Sequence, residues 1–412
     1  MRKERLIVPL LIGGLLAWMA GQAASSWFFE RELSLALEDM QARGELEIER
    51  VDIERGWWVS TGHIHLAPLL DDGWQLEVTY RARHGVLNTY LNGDVTLHHG
   101  PDGVRFFDDA LASSSPLWEA RYRTLSRQLE GGLRIAPMHI TQQARELTLQ
   151  GGTLRFSGER GSWQLRAQFL PWVLSDGDVR LAAGPATLNS EYAYTAGAHA
   201  FHQLDHLHIE ALAWHQPELK LDASDIQLAQ RIILDERELR IQLQLDLGEI
   251  HTAEQLLLAG RVDAELSRLN ADALRSVMKR LRTLAADSGQ QMSRQVLLAE
   301  LEPQLLSLLE DSPRLDLSLL ELESPMLGLS AKVDGALFLD GRQPELLSLT
   351  ELDDPAVQQN WRQRLDGDFV WHELPTVVAL WLGLPLDTRT LQIDIGRGQV
   401  RVNGRPLPPL WR

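Results

Sequence analysis

Polar and apolar positions along the chain fall into three regimes. The first is an uninterrupted one, because residues 6–29 carry no charged side chain. Arg2, Lys3 and Arg5 precede this run, and Trp27, Phe28 and Phe29 close it. About twenty apolar residues in a helix cover the roughly 30 Å hydrocarbon core of a bilayer. The pattern therefore predicts an N-terminal transmembrane helix over residues 1–29, with its basic flank cytoplasmic and its aromatic edge in the far headgroup region. An export signal has the same outline, and Gly21-Gln22-Ala23 offers a small-x-small cleavage site. Against cleavage, apolar spacing continues through Leu33, Leu35, Leu37 and Met40, as in a helix leaving the membrane. Residues 30–48 accordingly read as a helical linker.

The second regime is alternation. It is clearest where Leu239, Ile241, Leu243, Leu245 and Leu247 alternate with Arg240, Gln242, Gln244 and Asp246, the signature of a strand with one wet face. Trp163, Leu165, Ala167 and Phe169 repeat it, as do Leu207, Ile209, Ala211 and Ala213, and later Leu327, Leu329, Ala331 and Val333. Gly151-Gly152 predicts a tight hairpin between residues 147–149 and 153–156, since both residues take positive φ freely. Asp176-Gly177, Asp334-Gly335 and Asn403-Gly404 give further turn signals, and Gly396-Arg397-Gly398 reads as a hairpin turn. Residues 49–250 and 312–412 are thus expected to be β-rich.

The third regime interrupts the strands with helical spacing over residues 251–311. Asn270 is positioned to cap a helix that places Leu274, Val277, Met278, Leu281 and Leu284 on one face. A second helix carries Val296, Leu297, Leu301, Leu305, Leu308 and Leu309, with Pro303 kinking it or starting it anew. The expected fold is predominantly β with a helical insertion: a single N-terminal transmembrane helix followed by a large antiparallel β-rich domain across the membrane, which the family resemblance given below implies is periplasmic. A helix pair with apolar faces is the obvious lid for so many half-apolar strands. If it covers only part of the sheet, the remainder forms an apolar groove for a lipid chain, a peptide or a partner; full coverage gives a closed core. No fixed repeat length accompanies the alternation. The later run at residues 374–386 contains Pro375 and Pro385 and is too short for a second span.

Charge and composition narrow the class. The 412 residues carry a formal net charge of −17, which argues against a nucleic-acid partner, since phosphate binding needs a concentrated basic surface. Lysine occurs only at Lys3, Lys220, Lys279 and Lys332, so the basic residues are nearly all Arg. Cysteine is absent, leaving no disulfide framework, thiolate metal site or cysteine nucleophile.

Four stretches stand in order along the chain: Glu54-Arg55-Gly56-Trp57-Trp58-Val59-Ser60, His98-His99-Gly100-Pro101, the stretch from Leu308 through Asp311-Ser312-Pro313 to Ser324-Pro325 and Gly328, and the closing Gly398-Gln399-Val400-Arg401-Val402-Asn403-Gly404-Arg405-Pro406-Leu407. Together they resemble the YdgA-like family of bacterial envelope proteins. The sequence departs from the family pattern at Trp58-Val59 and at Met326-Leu327. The resemblance implies a protein held in the inner membrane of a Gram-negative bacterium and facing the periplasm. It implies no catalytic residue.

Candidate chemistry is sparse. His63 with His65 and His206 with His208 are spaced to share a strand face, and His98-His99 are adjacent, but no spacing fixes a third metal ligand. His372-Glu373 lacks the second histidine of a zinc-protease helix, and Pro375 follows too soon. Asp71-Asp72, Asp108-Asp109 and Asp353-Asp354 read as solvated acidic turns. Gly56-Trp57-Trp58 reads as close backbone approach with large packed rings, or as rings that hold the base of the domain against the bilayer. Trp118, after Ser113-Ser114-Ser115-Pro116, is expected in an exposed loop or helix start. No catalytic, cofactor or metal residue is assigned. The expectation is a noncatalytic envelope protein, attached to the inner membrane through residues 1–29, that binds an envelope protein partner or lipid and no nucleic acid. The alternatives are lipid handling of the AsmA-like kind and an envelope hydrolase.

Overall fold

The computed structural model describes residues 4–42, 46–68, 74–99, 104–105, 116–142, 145–253, 255–288 and 294–406, with the side chains of residues 4–17, 99, 104, 105, 142, 198, 285–288, 294 and 295 outside the description. The described chain is predominantly antiparallel β, and it divides into two compact units.

The first unit holds residues 1–142, 148–170 and 191–198. Its body is a run of antiparallel neighbours: Leu46–Glu54, Val59–Pro68, Trp74–His84, Asn88–His99, Leu117–Arg123, Gln128–Ile135, Gly152–Glu159 and Ser162–Phe169. Along one row of this sheet Ser60, Ala82, Leu91, Ala120, Gly131 and Phe156 stand opposite one another in turn. Most of these side chains are small, and a Cβ built on Gly131 would lie 2.6 Å from the Ala120 methyl. The row leaves room for helix α1 (Glu4–Ala42), whose Phe29 joins Tyr80, Ala82, Leu91, Ala120 and Tyr122 in one buried cluster.

This docking changes the reading of the N-terminus. Helix α1 runs without a break through the boundary expected at residue 29, and the first strand begins at Leu46 instead of after residue 48. Gln22, Ser25, Ser26 and Phe29 are buried. Gln22 donates to the Trp57 and His84 carbonyls, Ser25 bonds the Thr124 hydroxyl at 2.8 Å, and Ser26 donates to the Gly56 carbonyl at 3.0 Å. Residues 21–29 are therefore a packed element of the first unit and are withdrawn from the expected span. The polar side chains that interrupt the apolar run at positions 22, 25 and 26 are the cause. Among the described residues, no helix is long and apolar enough to cross a membrane.

The second unit holds residues 143–147, 171–190 and 199–412. Its largest part is a succession of antiparallel strands: Phe201–Gln216, Leu219–Leu234, Glu238–Thr252, Gln255–Asn270, Arg314–Ser324, Leu329–Leu339, Leu365–His372 and Leu391–Gly396. The helical segment begins at Ala271, not near residue 251. Residues 255–270 form a strand whose alternation is broken by register shifts against Glu238–Thr252, and those irregularities give it a helix-like spacing on paper. Helices α2 (Ala271–Ser288) and α3 (Arg294–Ser307) follow, α3 running through Pro303. Asn270 caps α2 as expected, its Oδ1 accepting the Ala273 N–H at 2.8 Å. Two short helices, α4 (Pro355–Gln363) and α5 (Thr376–Trp381), interrupt the C-terminal strands.

The turn signals divide. Gly177 and the pairs Arg397-Gly398 and Asn403-Gly404 sit in hairpin turns with positive φ. Gly151-Gly152 does not join two paired strands, because Gly152–Glu159 pairs with Gln128–Ile135 and with Ser162–Phe169. Gly335 lies inside a strand, where a Cβ would come within 2.2 Å of the Asp368 carbonyl oxygen. There glycine serves close approach of the neighbouring strand, not a turn.

Candidate functional site

Directly opposed residues of paired strands share a sheet face, so the register of the second unit can be read across its strands. Leu207, Leu228, Leu245, Val262, Leu320, Val333, Trp371 and Leu391 oppose one another in sequence, one from each strand. With neighbouring strands about 4.8 Å apart, this apolar row extends roughly 33 Å. A second row on the same face runs through Ile232, Ile241, Leu266, Leu315 and Leu337. One position along from the first row, on the other face, stand His208, Gln227, Asp246, Arg261, Glu321, Lys332 and His372. The sheet is thus amphipathic across its width.

Coverage of the apolar face is uneven. Where strands meet the helix pair, Phe201, Leu234 and Leu239 are buried together with Ala271, Ala273, Val277, Leu301 and Leu306. Hydrogen bonds from Ala271 N to the Arg237 carbonyl and from Arg275 Nε to the His199 carbonyl, each 3.0 Å, fix α2 at that end. Leu245 lies six residues beyond Leu239, about 20 Å along the strand. In the row through Leu245 only Leu391 is buried; the other members are half-buried. The helix pair closes one end of the face, and a long apolar row remains partly accessible.

The first unit concentrates its polar chemistry beneath α1. Ser60 Oγ lies 2.8 Å from His84 Nε2, and His84 Nδ1 lies 3.2 Å from Thr89 Oγ1. Burial pushes the His84 imidazole below its ordinary pKa, with the nearby Glu30 carboxylate opposing. All three side chains are buried, Ser60 and Thr89 completely, so the hydroxyl–imidazole arrangement has no open face for a substrate. Arg50 spans Glu30 Oε2 at 2.8 Å and the Tyr80 hydroxyl, and Asp39 receives Arg160 at 2.7 Å and the Gly197 N–H at 2.9 Å. Burial pushes the Tyr122 phenol up to about 12. Arg50 with Glu30 and Arg160 with Asp39 fasten the helix to the first unit. The polar positions at 22, 25 and 26, spaced to share one helix face, are the sequence signal for this docking.

The histidines do not converge as pairs. His63 lies 3.0 Å from one oxygen of Glu77 and His98 3.5 Å from the other, which with burial opposing holds the Glu77 carboxyl below its usual range. His208 pairs with Asp225 at 2.9 Å while His206 is exposed, and His372 bonds Asp334. Among the described residues no group of three or more His, Asp or Glu side chains is placed to hold a metal ion. Asp354 caps α4 by accepting the Ala356 N–H at 2.7 Å. Asp71-Asp72, Asp108-Asp109 and Ser113-Ser114-Ser115 lie outside the described residues, as does the side chain of His99. Trp118 is in a strand and not a loop, its Nε1 donating to the Thr79 carbonyl at 3.0 Å. Trp57 and Trp58 are exposed and do not pack as core groups; Trp58 lies 5.0 Å from Trp18, ring centre to ring centre.

Fold and site together define a predominantly antiparallel β protein whose N-terminal helix is seated on its first unit and whose second unit presents an amphipathic sheet. The chain belongs to a bacterial protein family of unknown function, DUF945, whose model matches residues 1–364. The match takes in three of the four sequence stretches noted above and ends before the closing one at residues 398–407. No curated protein and no solved structure matches the chain.

Proposed function

We propose that the chain is a noncatalytic envelope protein, held at the inner membrane by the N-terminal part of α1 and facing the periplasm, that carries an apolar ligand on the face of its second unit. The ligand class that fits is a lipid acyl chain. The carrying observation is the row from Leu207 to Leu391, apolar at every position, half-buried over most of its length and backed by a polar face. An apolar band of this length is larger than scattered surface hydrophobics and suits an elongated apolar ligand. The envelope address is supported by the YdgA-like stretches and by the charge-free run preceded by Arg2, Lys3 and Arg5. AsmA-like proteins, similar in having one N-terminal span and a long β-rich body, supply the comparison for lipid handling by fold analogy.

Mass spectrometry of protein extracted in mild detergent tests the reading. Phospholipid is expected to remain bound to the full chain and to be lost from a Leu245→Glu, Val262→Glu variant whose circular dichroism is unchanged. A wild-type protein free of lipid, or one carrying a single protein partner in its place, overturns it.

A further inference from the structure

One end of the first unit gathers exposed apolar side chains around the N-terminal part of α1. Three hairpin tips meet there: residues 55–58, 85–87 and 124–127. All three touch the same two turns of α1. Gln22 reaches the Trp57 and His84 carbonyls, Gly21 faces the Val86 side chain, Ser25 bonds Thr124, and Ser26 bonds the Gly56 carbonyl. Each tip carries an exposed large apolar side chain: Trp57 (60% exposed) and Trp58 on the first, Leu87 on the second, and Leu125 (82% exposed) on the third. Trp18 and Trp27 of the helix are exposed beside them. Between Trp27 and Trp57 lies a cleft of about 420 Å³ lined by Glu30, Arg31 and Arg55, with Arg55 3.5 Å from the Glu30 carboxylate.

Helix length says what this end meets. With residues 21–29 packed on the first unit, the charge-free part of α1 left over is residues 6–20, about 22 Å at 1.5 Å per residue. A hydrocarbon core is roughly 30 Å thick. The shortfall, about 8 Å, matches the depth of about 5–10 Å to which interfacial apolar groups sink into the headgroup boundary. Tryptophan suits that region because its ring is apolar with a polar N–H, and the arginines of the cleft suit lipid phosphates.

We infer that this end is a membrane seat: Trp57, Trp58, Leu87 and Leu125 enter the headgroup region of the leaflet from which α1 emerges. The inference rests on the anchored reading above and adds a second, peripheral contact to it. Because the chain has no cysteine, Leu87→Cys and Leu125→Cys each give one labelling site. The full-length variants, carrying an environment-sensitive dye, are reconstituted into vesicles of phosphatidylethanolamine and phosphatidylglycerol. Flotation is measured first, then dye emission and quenching by spin-labelled lipid. Expected are flotation, a blue shift at both positions and quenching strongest for labels at shallow depth. Flotation with water-like emission and no quenching at either site removes the seat and leaves the anchor standing. Failure to float removes both.

Discussion

His84 shows how much one buried side chain under α1 decides. Its ring is held between Ser60 and Thr89 with Phe29 against it, 5.5 Å between ring centres. Burial favours the neutral form, so the folded-state pKa lies below the ordinary value near 6.5. The unfolded chain then takes up the proton first as pH falls. His84's contribution is full above about pH 6.5 and is lost as pH drops below it. Hydrogen exchange in peptides from the first unit is expected to quicken between pH 7.5 and pH 5, after correction for intrinsic rates, and a His84→Gln variant to show a flatter dependence. Gln22→Leu removes the donor to two carbonyls and is expected to cost about 1–3 kcal/mol, read as a lower urea midpoint. A Gln22→Leu protein as stable as wild type would mean that water replaces the amide.

Elements were legible where one force dominated. The strand around Leu243 and the cap at Asn270 follow from alternation and from a side-chain oxygen placed before an amphipathic stretch. Asn270→Ala is expected to cost about 1 kcal/mol, with faster exchange in the first turn of α2 as the local sign. Residues 255–270 were illegible for a local reason, since register shifts disturb the period on which the eye relies. The end of the charge-free run, residues 21–29, was misread for a tertiary one. A charge-free run looks the same whether lipid or a sheet lined with Ala82, Ala120 and Gly131 receives it, and only the buried bonds of Gln22 and Ser25 separate the cases. Phe29→Ala, which would be mild in lipid, is expected to cost about 3–5 kcal/mol in this core. The apolar rows of the second unit needed the pairing register as well as the alternation: period two says that each strand has an apolar face, while pairing says that the faces align.

For the whole molecule, the continuity of α1 has a mechanical meaning. The helix passes from its charge-free part into the core of the first unit without a loop, and Asp39 with Arg160 fastens its far end to the same unit. There is no swivel at this junction and no tether to pay out. A domain on a flexible stalk searches a volume; the first unit, joined in this way, keeps a set height and attitude relative to the helix that enters it. A glycine-rich insertion after residue 20 is expected to leave the circular dichroism of the strands unchanged while giving the first unit a freedom of orientation that the native chain denies it.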